Sequence, residues 1–142
     1  MRVLICAAFL GTLALPAVSE ACTETVFSSS VGEQYMKAET ALIEEDNATK
    51  ALDITGNLWT ADLNCYERQA VRKLRAASFI EINNSAGAID MLLPLLEDDA
   101  APVEDRARTA YNIGQLYSSL GEAEKAQTFL DMSDALGGFE PG

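Results

Sequence analysis

Twenty-two Asp and Glu stand against ten Lys and Arg in this 142-residue chain, and histidine is absent from it. Without histidine the commonest general base and metal ligand at neutral pH is missing. A carboxylate pair could serve as general acid and base, and Glu44-Glu45 and Asp98-Asp99 are the pairs on offer. Both fall between apolar stripes, where adjacent acids read as solvated turns. Ser28-Ser29-Ser30 supplies hydroxyls, but no imidazole exists to activate them. Glycines occur singly or as Gly137-Gly138, with no loop that could cradle phosphate. No catalytic residue, metal-ligand set or cofactor is expected, and the chain reads as a non-enzyme.

The basic residues are less evenly spread than the acids. Arg68, Arg72, Lys73 and Arg75 fall within eight residues. Arg68, Arg72 and Arg75, at i, i+4 and i+7, share one helical stripe. Two readings stand side by side: the stripe receives an acidic peptide or a terminal carboxylate through charge-assisted hydrogen bonds, or it pairs with surplus Asp and Glu inside the domain. The formal net charge of −12 disfavours DNA, RNA and anionic lipid, which need basic surfaces.

Residues 1–21 have the form of a signal peptide. Arg2 is the positive end, Val3 to Leu15 are apolar, Pro16 interrupts, and Ala17-Val18-Ser19 and Ser19-Glu20-Ala21 offer cleavage patterns. The apolar run is too short for a permanent membrane span, so no membrane insertion is expected after its removal. Lipidation at Cys22 is the weaker alternative, because Glu20 spoils the residues before it. Cleavage removes Cys6 and leaves Cys22 and Cys65. An even count in an exported chain points to a Cys22–Cys65 disulfide, with two separate thiols as the alternative.

The elements that must position these residues are helices. Only 7% of the chain is aromatic against 49% hydrophobic, a balance that suits a small all-α domain better than a sheet. Residues 22–31 are polar and lack periodicity, an extended lead-in. Helical patterning then begins near Gly32 and continues to residue 137, leaving 138–142 as a tail. Apolar stripes run through Tyr35, Ala38 and Leu42, then Ala51, Leu52 and Leu58, then Val71, Leu74 and Ala77, then Ala88, Leu92 and Leu96. Asn64 with Glu67 three residues on is a capping box opening the third helix. Pro94 should kink or weaken the fourth.

The clearest stretch is Arg106 to Leu136. Ala110, Ile113, Gly114 and Tyr117 share one face, Leu120-Gly121 ends the helix, and Ala126, Leu130 and Ser133 continue on a second helix. Gly114 and Ala126 are small where two helices would cross. This arrangement resembles a tetratricopeptide repeat, whose signature runs W-x2-L-G-x2-Y, then A-x3-F, then proline. Here it stands as Ala110-x2-Ile113-Gly114-x2-Tyr117 and Ala126-x3-Leu130, with alanine for tryptophan and leucine for phenylalanine. Fainter copies place Ala76, Phe79 and Ala88, then Glu39, Leu42 and Ala51, at the positions of Gly114, Tyr117 and Ala126. The copies step by 37 and then 38 residues.

The resemblance implies three helical hairpins over residues 32–137, stacked as a short right-handed solenoid, with a concave groove that binds a peptide or partner protein. By the family's geometry Lys73, Arg108, Tyr111, Asn112 and Gln115 lie near that groove, and Arg72 joins them as an expected partner-binding residue. Leu63-Asn64-Cys65-Tyr66-Glu67 and Leu74-Arg75-Ala76 are similar to stretches of small exported tetratricopeptide proteins of Gram-negative bacteria. Some of those accompany TonB-type systems; the group typically carries L-x-P-Y-E and L-R-G, where this chain has Cys65 for the proline and Ala76 for the glycine. That likeness implies a periplasmic scaffold or adaptor.

The last helix raises a second expectation. Phe129, Met132 and Leu136, at i, i+3 and i+7, point away from Ala126 and Leu130. Such a side is expected to meet a partner or a second copy across a two-fold axis, making the chain a self-associating subunit, unless the preceding hairpin curls round to cover it.

Overall fold

The structure, a computed structural model, describes residues 22–141. The expected signal segment lies outside the described residues. Within them are six α-helices: α1 (Ser29–Ile43), α2 (Ala48–Trp59), α3 (Cys65–Glu81), α4 (Ser85–Leu96), α5 (Val103–Ser119) and α6 (Ala123–Ala135). No strand occurs among the described residues, and none of their helices is long and apolar enough to cross a membrane.

Asparagine starts three of these helices. The side chains of Asn47, Asn64 and Asn84 accept hydrogen bonds from the backbone N–H groups of Lys50, Glu67 and Gly87, at 2.8 to 3.0 Å. Each cap satisfies a donor that the first turn leaves open and stabilises by about 1 kcal/mol. At Asn64 the bond is reciprocated, because its own N–H donates to Glu67 at 3.0 Å.

The turns within α1–α2, α3–α4 and α5–α6 share one device. Asp46, Asn83 and Gly121 have φ of 51°, 57° and 75°. That is the left-handed region, which Gly, Asn and Asp enter most cheaply. The three positions repeat at steps of 37 and then 38 residues, as do the starts of α2, α4 and α6. Each helix packs on the one that follows it, most extensively within these three pairs, and α1 also touches α3.

Close packing in the third pair depends on Gly114. A Cβ placed there would lie 2.8 Å from Leu130 Cγ and 3.2 Å from the Ala126 carbonyl. Ala76 and Ala88 are buried in the second pair, as expected. In the first pair Ala38 and Ala41 are fully buried, whereas Glu39 and Leu42 are only half-buried. The α1–α2 turn explains this slip. Asn47 N–H reaches back six residues to the Ala41 carbonyl, where Asn84 and Glu122 reach back five, to Phe79 and Tyr117. One extra residue in the turn shifts everything before it, so Ala41 stands where Phe79 and Tyr117 do.

Two apolar clusters result. Val31, Leu58, Leu63 and Val71 form one, with Phe27, Tyr35 and Trp59 against it. Ala76, Ile89, Leu92, Leu95, Leu96, Ala110 and Ile113 form the other. Helix α3 contributes to both and so ties the halves together. Helix α4 carries Pro94 in its last turn and still continues to Leu96.

Candidate functional site

The first turn of α3 holds the lead-in at several points. Cys65, its first residue, is paired with Cys22, their Cα atoms 5.4 Å apart. Glu67, 2% exposed, accepts the Ser28 N–H and hydroxyl on one oxygen, both at 2.7 Å. Burial would raise the Glu67 pKa, but the bonds donated by Ser28 and the Asn64 backbone together hold it below the ordinary carboxylate value. Phe27 packs between the rings of Tyr35 and Tyr66. This anchoring starts α1 at Ser29, three residues before the expected Gly32, so Ser29 and Ser30 belong to the helix.

Beyond that clamp, α3 and α5 stand apart and a cleft of about 240 Å³ opens between them. Leu92 and Leu95 of α4 line it together with Ala76, Ala77 and Ile80 of α3. Lys73 enters it from α3, and Asp105, Arg108, Thr109 and Asn112 from α5. The small side chains of Ala76 and Ala77 leave the apolar surface accessible. A second hollow, of about 180 Å³, shares Lys73, Leu95, Asp105 and Thr109 and continues to Cys22, Gln69 and Pro102. Gln69 Nε2 donates to Asp98 at 2.7 Å, and Asp98 accepts the Ala100 N–H, which fixes the α4–α5 loop beside the cleft.

Three of the six expected groove residues, Lys73, Arg108 and Asn112, therefore share one cleft. Gln115 is exposed one turn farther along α5. Tyr111 makes an edge contact with Phe139, at 5.5 Å between centroids. Arg72 lies elsewhere: its guanidinium is 4.9 Å from the Trp59 ring centroid, and it lines a shallow hollow with Arg68, Pro94 and Glu97. Arg75 is held between Trp59 and Phe79, and its Nη1 donates to the Leu52 carbonyl and Thr55 Oγ1. Burial lowers the pKa of both arginines, with Arg68 adding repulsion at Arg72.

Ion pairs join Lys37 to Glu33, Lys50 to Glu45, Arg106 to Asp99 and Lys125 to Glu122. Along the stripe, Arg68 Nη2 donates to the Leu63 carbonyl, Arg72 lies over Trp59, and Arg75 reaches the Leu52 carbonyl and the Thr55 hydroxyl.

The expected association face is partly covered within the chain. Phe129 stacks on Tyr117 at 5.4 Å, and both Phe129 and Leu136 pack against the larger apolar cluster. Met132 alone of the three is exposed, at 39%. The outward side of α6 carries Glu124, Gln127, Thr128, Asp131 and Asp134, a polar cap. The α5–α6 pair covers its own apolar side, because Tyr117 reaches across to Phe129.

Sequence reasoning missed Asp105 and Thr109, although with Arg108 and Asn112 they form one face of α5 at spacings of three and four. It also missed Phe139, for which a short glycine-rich tail carries no signal. No group of three or more His, Cys, Asp or Glu that could hold a metal occurs among the described residues. The chain matches no protein-family model, no curated protein and no solved structure.

Proposed function

We propose that this chain is an exported, periplasmic helical-repeat domain of tetratricopeptide type, acting as a scaffold or adaptor that takes a peptide or partner protein in the α3–α5 cleft. The observation that carries the reading is the placing of Lys73 and Arg108, from different helix pairs, in one cleft with an apolar floor. In a chain of net charge −12, cations at a concave site favour an acidic ligand with apolar side chains between its acids. The repeated left-handed turns and the 37 and 38 residue steps support three hairpins stacked as a right-handed solenoid. A paired Cys22–Cys65 is compatible with an oxidising compartment.

The test is charge reversal. Lys73→Glu and Arg108→Glu should each weaken binding of an acidic probe, acetyl-tetraglutamate amide, by about tenfold, as expected for a charge-assisted contact. Thermal melts should stay near the parent's, since both side chains are exposed. Arg72→Glu should leave probe binding unchanged, because that side chain lies on Trp59 outside the cleft. Equal binding by the parent and the Lys73 and Arg108 variants would remove the cleft from consideration.

A further inference from the structure

After α6 the chain reverses over Gly137 and Gly138, whose φ angles of 114° and 77° suit glycine. The reversal carries Phe139 back onto α5. There its ring lies 5.1 Å from the Arg108 guanidinium carbon and 5.5 Å from the Tyr111 ring centroid, edge to face. Phe139 is half-buried in this position. Among the described residues no hydrogen bond ties Phe139, Glu140 or Pro141 to the helices, the last anchor being Gly138 N–H to the Ser133 carbonyl at 2.9 Å. The tail is thus held by one aromatic ring on a two-glycine hinge, and the ring sits on a cation that also lines the α3–α5 cleft.

We propose that Arg108 and Tyr111 form a seat for an aromatic side chain flanked by an acid, and that Phe139 is its built-in occupant. This rests on the reading of the cleft as a ligand site and names a subsite beside it. The guanidinium face takes the ring as a cation–π partner, and its N–H groups stay available for a carboxylate. Glu140 directly follows Phe139, so the tail carries the pairing that the seat would select. A partner segment with the same pairing competes with the tail, which must swing away on Gly137 and Gly138 before Arg108 is fully accessible. The tail then sets a threshold for binding, because a short tether keeps its ring at an effective concentration on the order of millimolar.

The experiment uses the full mature chain, its Phe139→Ala variant and the free peptide acetyl-Gly-Gly-Phe-Glu-Pro-amide, followed by amide chemical shifts. Phe139→Ala should bind the peptide about threefold or more tightly than the parent, as expected when a tethered competitor is removed. The shifts should cluster around residues 108 and 111, and a peptide with alanine for phenylalanine should not bind. Equal affinity for parent and variant would overturn the proposal. So would absence of binding to Phe139→Ala at about 10 mM peptide, above the effective concentration of the tether. Failure of the cleft reading is seen separately, as tetraglutamate binding that Lys73→Glu leaves unchanged.

Discussion

Ser28 gives both of its donors to a single oxygen of Glu67, 39 residues away, while the other oxygen closes the capping box at Asn64. One carboxylate thereby fixes where α1 begins and how α3 begins. Glutamine at this position would turn an N–H₂ toward one of three donors. Glu67→Gln should therefore cost about 2–3 kcal/mol, the usual scale for losing charged, buried hydrogen bonds.

The same carboxylate predicts an acid response. Its folded pKa lies below the ordinary value of 4.5, so its contribution to stability is complete above that value. The contribution is lost as pH falls through the depressed folded pKa. Denaturation midpoints measured between pH 6 and pH 3 should fall more steeply for the parent than for Glu67→Gln. Parallel curves would mean that Glu67 does not stay ionised in the folded chain.

Unreduced protein spanning residues 22–142 should weigh two hydrogens less than its reduced form. Cys65→Ser should lower stability by at most about 4 kcal/mol, the chain-entropy value for a loop of 43 residues. Two thiols open to alkylation without reductant would contradict the pairing.

Gly114 and Leu130 make a testable couple. Gly114→Ala should cost about 1–3 kcal/mol through overpacking against Leu130. In a Leu130→Ala background the same change should cost much less, so a double-mutant cycle reads the contact directly. Additive losses would place the damage elsewhere in the crossing.

Arg75 has a buried Nε with no acceptor, and of its Nη1 acceptors the Thr55 hydroxyl also donates to the Ala51 carbonyl within α2. Arg75→Met keeps the stem between Trp59 and Phe79 and removes that burden. It should change stability by under about 1 kcal/mol, whereas Arg75→Glu should unfold the α2–α3 contact. Urea midpoints of the two variants separate these outcomes.

On α6, Met132→Asp should leave both the melt and the solution mass unchanged, and Phe129→Asp should cost about 3 kcal/mol or more by breaking the Tyr117 stack and burying a charge. Light scattering with calorimetry checks both.

Local features were the legible ones. Asn64 with Glu67 showed a cap, Gly121 a helix end, and Gly114 a close crossing, since each depends on residues a few places apart. The copy spacing pointed to three helix pairs. What escaped were events at longer range or of single-residue size. Nothing near Ser28 indicates Glu67, and the extra residue before Asn47 slipped the first pair from Glu39 to Ala38. Spacing put Arg72 beside Lys73 in sequence, but adjacent helical residues point about 100° apart, which sends Arg72 to Trp59 and Lys73 to the cleft. The side of α6 with Phe129 looked bare because the reach of Tyr117 is not visible in periodicity.

In a row of helix pairs the terminal ones have a single neighbour and open first. Here the segment before α1 is fastened to the start of α3, by a covalent link at Cys65 and by the bonds at Glu67. Peeling the first pair away from the middle one breaks these bonds as well, so the two should open together. The last pair packs on the middle one through α4 and α5, with no disulfide to it among the described residues. Amide exchange should then be fastest at the opposite end of the molecule, the end that carries Arg108 and the tail resting on it.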